Sequence, residues 1–186
     1  MNDVQYRVLP RPTGELIHAY GDNVHILSHP FAMSMLERLS SPDTVQPEVN
    51  RLVGTLYELL LSEVANRVLT TQQVESPTRM SEHTDKGVYK GECIDRNQKV
   101  VVVDVARAGI LPAHHFFEGL HQVIEPSSLR QDHVVASRTT DSEGRVTGVT
   151  LDGSKIGGPI DDATVIFPDP MAATGSSIAG VIEHYT

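Results

Sequence analysis

A run of small and hydroxylated residues late in the chain has the composition of an anion-binding turn. It begins at Asp169, continues to Gly175, Ser176 and Ser177, and directly follows the apolar segment Ala163–Phe167. Small side chains let backbone N–H groups converge on one anion, and a helix that follows adds partial positive charge and unpaired donors. The pattern therefore predicts a buried strand, a phosphate-binding turn and a helix over Ser176–Tyr185.

Asp169 stands at the end of the predicted strand, where its carboxylate can accept hydrogen bonds from the hydroxyl groups of a sugar. Thr174, Ser176 and Ser177 can add hydroxyl donors to a phosphate. The same pattern also describes an ordinary strand–turn–helix junction in which Asp or Ser caps the helix. The residues alone leave both interpretations open.

A second candidate loop, Arg107–Gly109, ends the run Lys99–Ala106. A β-branched run of this kind is typical of a strand buried on both faces, as in a parallel sheet. Ligands of such sheets bind at the carboxyl ends of the strands, so both loops are predicted to lie at one edge. Asp104 interrupts the run as either a site acid or an edge residue, and we assign it no role.

The remaining pattern predicts a doubly wound α/β fold with a mainly parallel sheet flanked by helices. Helices are expected at Phe31–Leu39, 47–69 and about 110–120, strands at Gly87–Ile94 and His133–Ser137, and a hairpin or mobile arm over 138–160. The helix at 47–69 is interpreted as a packing helix without chemistry. We expect one domain over 1–186, with an N-terminal helical part at 1–70 and a sheet core at 99–186.

Composition argues against several classes of function. The formal net charge of -9 disfavours a broad nucleic-acid interface, which needs a basic surface. One cysteine excludes an internal disulfide, and the nine scattered histidines lack the spacing of a zinc site. No apolar run approaches the ~20 residues of a membrane helix. We expect a cytoplasmic protein without nucleic-acid or membrane partners.

The residues Asp169–Ser177 read Asp-Pro-Met-Ala-Ala-Thr-Gly-Ser-Ser and resemble the phosphoribosyl-pyrophosphate loop of uracil phosphoribosyltransferases, usually written DPMLATGGS. Arg107–Gly109 resembles the LRAG loop of that family. Ser28–Pro30 resembles its KHP segment, and Arg138–Asp141 resembles its YRNEE segment. The order and approximate spacing agree, and the resemblance covers roughly residues 25–186.

The resemblance implies a type I phosphoribosyltransferase that transfers the phosphoribosyl group of phosphoribosyl pyrophosphate (PRPP) to uracil, giving UMP and pyrophosphate in pyrimidine salvage. It implies Asp169 and Arg107 as catalytic residues and Mg²⁺ held mainly by the substrate, with no confident protein ligand. It also implies a homodimer whose arms, around 139–160, cross to the partner. The PRPP-binding residues are then Arg107, Ala108, Gly109, Arg138, Asp169, Pro170, Met171, Ala172, Ala173, Thr174, Gly175, Ser176 and Ser177.

Several residues depart from the family pattern. Asp104 stands where an apolar residue is usual, Pro168 precedes the acid in place of an aliphatic residue, and Ser176 replaces a glycine. The family's later Gly-Asp-Ala region, which holds uracil, has no match, so we expect a chain that lacks the base-binding part. Two other functions stay open: a regulatory module that binds nucleotide or PRPP without catalysis, and a phosphoribosyltransferase for another base. For Arg138, a solvated hairpin arginine is the alternative.

Overall fold

The computed structural model describes residues 14–140, 146–172 and 175–185. The elements follow in the order α1 (Pro30–Ser40), α2 (Glu48–Val68), β1 (Thr71–Pro77), β2 (Val88–Ile94), β3 (Lys99–Ala106), α3 (Ile110–Leu120), β4 (Leu129–Thr140), β5 (Val146–Lys155), β6 (Ala163–Ile166) and α4 (Ser176–Glu183). The chain forms two compact units, one ending at Leu52 and one beginning at Val53.

The first unit contains α1 and the start of α2. Pro30 occupies the first turn of α1, where its missing N–H costs nothing, and His29 is the N-cap residue. Gly14 leaves room for the His29 ring, because a Cβ atom at Gly14 would lie 2.0 Å from His29 Cε1. Arg38 and Glu48 form an exposed ion pair. The helix predicted at Phe31–Leu39 is confirmed.

The second unit contains a four-stranded sheet of order β5-β4-β3-β6 among its described residues. β3 pairs in parallel with both β4 and β6, and β5 pairs antiparallel with β4. The predicted doubly wound, mainly parallel α/β architecture is confirmed. The hairpin predicted over 138–160 is also confirmed by the β4–β5 pairing, although residues 141–145 lie outside the described part of the chain.

β3 is buried on both faces, as its run of valines predicts. Val100 and Val102 pack with Phe116 and Leu120 of α3. On the opposite face, Val101, Val103 and Val105 pack with Val134 of β4 and Val181 of α4. Burying each of these side chains contributes roughly 1.5–3 kcal/mol. The two clusters therefore hold α3 and α4 on opposite faces of the sheet. The same packing holds the first turns of both helices in place.

The structure differs from the sequence predictions at some boundaries. β1 was not predicted, because its side chains are mostly exposed and show no apolar face. The strand predicted at Ala163–Phe167 ends at Ile166 and is half-buried rather than buried, since β3 is its neighbour on one side of the described sheet. The helix predicted at Ser176–Tyr185 ends at Glu183. Within the described residues, every helix is too short or too polar to cross a bilayer.

Candidate active site

The loops after β3 and β6 lie side by side, because the two strands are parallel neighbours and end at the same edge. Gly109 lies where the first loop comes close to the second. A Cβ atom there would lie 2.8 Å from the backbone nitrogen of Val105 and 3.2 Å from the carbonyl oxygen of Pro168. Gly109 also donates its N–H to the Val105 carbonyl at 3.0 Å. The prediction that both loops share one edge of the sheet is confirmed.

A pocket of about 160 Å³ opens at this edge. The volume is that of roughly five water molecules, at ~30 Å³ each in the liquid, and smaller than the ~300–1,000 Å³ typical of sites that enclose whole ligands. It suits a phosphate group and part of a sugar. The predicted binding residues that line it are Ala108, Asp169, Met171, Ala172, Gly175, Ser176 and Ser177.

The Asp169 carboxylate is half-buried at the pocket wall and shapes the turn that follows it. Its Oδ1 accepts the backbone N–H of Met171 at 2.7 Å, which is an Asx turn. The N-cap residue of α4 is Gly175, and its cap has no side-chain hydrogen bond. Asp169 therefore caps a turn rather than the helix, and retains acceptor capacity for a ligand.

The N-terminus of α4 faces the pocket through Gly175, Ser176 and Ser177. Gly175 adopts the left-handed region, with φ 73° and ψ -6°, which glycine enters without steric cost. The first turn of α4 contains no acidic residue, so no carboxylate there offsets the positive end of the helix dipole. Ala173 and Thr174 lie outside the described residues, and their predicted contacts with phosphate remain predictions.

The two arginines are placed differently. Arg107 is exposed, directly after β3 and beside Ala108, and the peptide bond that precedes it is cis. Arg138 lies on β4 opposite Val149 of β5, two residues before β4 ends; its side chain lies outside the described residues. Pro170 is exposed at the turn. Among the described lining residues Asp169 is the one charged side chain, so any cation must reach the pocket from its rim.

Tyr57 is a residue near the site that sequence analysis missed. It lies on α2, whose apolar pattern predicts a packing helix without chemistry, and its ring contacts Phe116 edge-on with centroids 5.9 Å apart. Burial, and then the negative charge of Asp169, raise the pKa of Tyr57 to about 12. The charge effect places Tyr57 within electrostatic reach of the Asp169 carboxylate. A tyrosine on an otherwise apolar helix face was the signal available in the sequence.

Asp104, unassigned from sequence, is only 2% exposed and hydrogen-bonds to Nδ1 of the half-exposed His133. The two residues are direct partners across β3 and β4. Asp104 is not among the residues that line the pocket, and β3 is an interior strand. It is therefore neither an edge residue nor a wall of the pocket; it is a buried carboxylate satisfied by a histidine. Among the described residues, no group of three or more His, Cys, Asp or Glu side chains is arranged to hold a metal ion.

Known proteins resemble this chain over most of its length. The family model for uracil phosphoribosyltransferase matches residues 26–186. The uracil phosphoribosyltransferase of Natronomonas pharaonis is 30% identical over 166 residues, which cover 88% of this chain and 69% of that protein. The uracil phosphoribosyltransferase of Dictyoglomus thermophilum is 30% identical over 160 residues, covering 86% and 69%.

A solved structure supports the fold independently. The AQ2163 protein from Aquifex aeolicus superposes with a TM-score of 0.62 at 19% identity, covering 86% of this chain and 67% of that one. The family match spans the site described above, including both loops and the hairpin. This chain belongs to the uracil phosphoribosyltransferase family.

Proposed function

We propose that this protein transfers the phosphoribosyl group of PRPP to N1 of uracil and releases UMP and pyrophosphate. The observation that carries the proposal is the pocket in which Asp169, the left-handed Gly175 and the first turn of α4 meet, beside the loop that bears Arg107. The names of the relatives support uracil as the acceptor. We propose the activity named for these relatives for this chain as well.

In the proposed complex, the 5-phosphate lies against the N-terminus of α4. Backbone N–H groups and the hydroxyls of Ser176 and Ser177 donate to it. The ribose hydroxyls donate to Asp169, and Ala108 and Gly109 border the path to pyrophosphate. Arg107 and Arg138 hold the pyrophosphate with charge-assisted hydrogen bonds. Pro170, Met171, Ala172, Ala173 and Thr174 complete the proposed PRPP-binding loop.

The reaction needs no covalent nucleophile. The bond from C1′ of the ribose to the pyrophosphate oxygen breaks, and its electron pair leaves with pyrophosphate. N1 of uracil forms the new bond to C1′ and releases its proton to solvent or to the departing pyrophosphate. Positive charge develops on the ribose, close to the Asp169 carboxylate, and negative charge develops near the arginines. The protein contributes orientation and fixed charges placed where the transition state needs them.

The proposed cofactor is Mg²⁺, which when bound neutralises part of the pyrophosphate charge. Asp169 is the single carboxylate among the described lining residues. This donor set suits a magnesium ion that would keep its waters and bind mainly substrate oxygens, as small hard cations commonly do.

We also propose a homodimer in which the β4–β5 arm crosses to the partner, and one phosphoribosyltransferase domain over the chain.

The test is the formation of UMP from uracil, PRPP and Mg²⁺ by the natural full-length polypeptide. We expect Asp169→Asn to lose most of this activity, and Asp161→Asn, at an exposed turn, to keep it. Binding of PRPP without turnover would instead identify a regulatory module, and a panel of free bases would reveal a different acceptor. The absence of both PRPP binding and turnover would refute the proposal.

A further inference from the structure

Asp132 is a buried carboxylate outside the pocket, and it holds together parts of the chain that are distant in sequence. Its side chain is fully buried on β4. Oδ1 accepts hydrogen bonds from Arg130 Nε at 3.0 Å and from the Gly157 backbone N–H at 2.9 Å. Oδ2 accepts from Arg130 Nη2 at 3.1 Å and from the Tyr185 hydroxyl at 3.0 Å. The carboxylate is therefore fully bonded and paired with a cation.

The first segment that this cluster holds is the root of the arm. Arg130, besides binding Asp132, donates to the carbonyl oxygen of Gly158 at 2.9 Å and to that of Pro159 at 3.1 Å. Residues 157–159 follow β5 after one intervening residue, and β5 pairs with the part of β4 that carries Arg138. The cluster thus fixes the point at which the arm rejoins the sheet.

The second segment is α4. Tyr185 follows the end of this helix, and its ring contacts Phe167 edge-on with centroids 6.1 Å apart. Phe167 lies two residues before Asp169. At 1.5 Å per residue, the eight residues of α4 span about 12 Å, so the helix carries a constraint from Tyr185 to its first turn at Ser176. Burial first, and then the hydrogen bond to Asp132, raise the pKa of Tyr185 above its ordinary value.

Stability alone is a weak reason for such a cluster, because buried ion pairs can often be replaced by apolar residues without loss. We propose that Asp132 is a positioning residue for phosphoribosyl transfer, holding the arm root and α4 in one arrangement. The phosphate-binding turn then stays aligned with the strand that carries Arg138. This inference rests on the proposed function, and it adds a residue that does not line the pocket.

Tyr185→Phe tests the helix side of this arrangement. It removes one hydrogen bond and leaves Asp132 paired with Arg130 and Gly157. In the natural full-length polypeptide we expect the KM for PRPP to rise about fivefold. One net hydrogen bond contributes about 1 kcal/mol, which corresponds to a fivefold change in a binding constant. We expect kcat and the KM for uracil to stay within about twofold. The matched control is Tyr89→Phe, which removes an exposed tyrosine hydroxyl on β2.

Amide hydrogen exchange tests the same idea without substrate. We expect Tyr185→Phe to speed exchange over Ser177–Val181, and Asp132→Asn to speed it both there and at 157–160. Tyr89→Phe should change neither region. A lower melting temperature for Tyr185→Phe, with wild-type exchange in α4 and an unchanged KM for PRPP, would reduce the cluster to a folding role and overturn the inference. If the wild type neither binds PRPP nor forms UMP, the proposed function fails, and the exchange data alone decide whether Asp132 positions both segments.

Discussion

Replacing Gly109 with alanine should separate the two loops that form the pocket. Gly109 has φ -74°, which alanine adopts readily, so the backbone conformation itself costs nothing. The new Cβ atom, however, would lie 2.8 Å from the Val105 nitrogen and 3.0 Å from the Val105 oxygen, whereas ordinary contacts begin at 3.4 Å. These are backbone atoms of a buried strand, so the Arg107–Gly109 loop must move instead. Raising the 2.8 Å contact to 3.4 Å needs a shift of roughly 0.6 Å, which pushes the loop against Pro168.

The magnitude follows from two general relations. Overpacking a tight site costs about 1–3 kcal/mol, which lowers the melting temperature of a chain of this size by roughly 2–4 °C per kcal/mol. A displacement of 1 Å near the reacting groups can cost about a hundredfold in rate, so a shift of roughly half that distance should reduce kcat/KM about tenfold. Thermal unfolding and steady-state UMP formation measure the two effects separately.

Gly153→Ala is the matched control for this prediction. Gly153 lies on β5, and a Cβ atom there would have nothing within 4 Å. The variant should therefore keep its melting temperature and its kcat/KM, since substitutions in open space are usually within about 0.5 kcal/mol of wild type. Equal effects of the two substitutions, or no effect of Gly109→Ala, would refute the packing of the Arg107–Gly109 loop against Pro168 as the basis of the site.

Three other substitutions probe the site at different depths. Asp169→Asn should reduce UMP formation at least a hundredfold while the melting temperature changes little, because the amide oxygen can still accept from Met171; parallel loss of both would reduce Asp169 to a turn cap. Gly175→Ala should cost about 1–2 kcal/mol in thermal unfolding, from the left-handed backbone, and weaken PRPP binding in calorimetry. Tyr57→Phe should lower kcat/KM a few fold at neutral pH. Folding raises the pKa of Tyr57, so the contribution of Tyr57 to the free energy of unfolding is fully present below pH 10 and is lost as the pH rises toward 12. Chemical denaturation between pH 10 and 12 should therefore show a larger loss of unfolding free energy for the wild type than for Tyr57→Phe.

The sequence predicted those elements whose burial follows a simple period. Lys99–Ala106 matches β3 residue for residue, because the strand is buried on both faces and its buried positions are apolar, except for Asp104, which is paired with His133. β4 was predicted too short, since Arg130 and Asp132 break the apolar pattern while being satisfied by each other. β1 pairs antiparallel with β2 in a two-stranded sheet. It escaped prediction because its side chains are mostly exposed, which imposes no apolar period on its sequence.

The site was predictable in part, for a related reason. Asp169 and Gly175 are close in sequence and line the same pocket, so their spacing along the chain carries the signal. Tyr57 reaches the region of Asp169 only because α2 packs against α3, and Asp132 meets Tyr185 across 53 residues. Contacts of this kind depend on the completed fold, and no local pattern marks them.

The charge of the whole chain is a poor guide to the charge of its ligand. A net charge of -9 opposes the approach of an anion such as PRPP at long range. At the pocket, however, the balance is set by the α4 N-terminus, which has no acidic residue in its first turn, and by Arg107 at the rim. Fields beyond about 8–10 Å are screened at physiological salt, whereas backbone donors act at contact distance. The local arrangement can therefore outweigh the global charge. An overall acidic chain is compatible with the phosphate site we propose, at a pocket where Asp169 is the one charged side chain among the described lining residues.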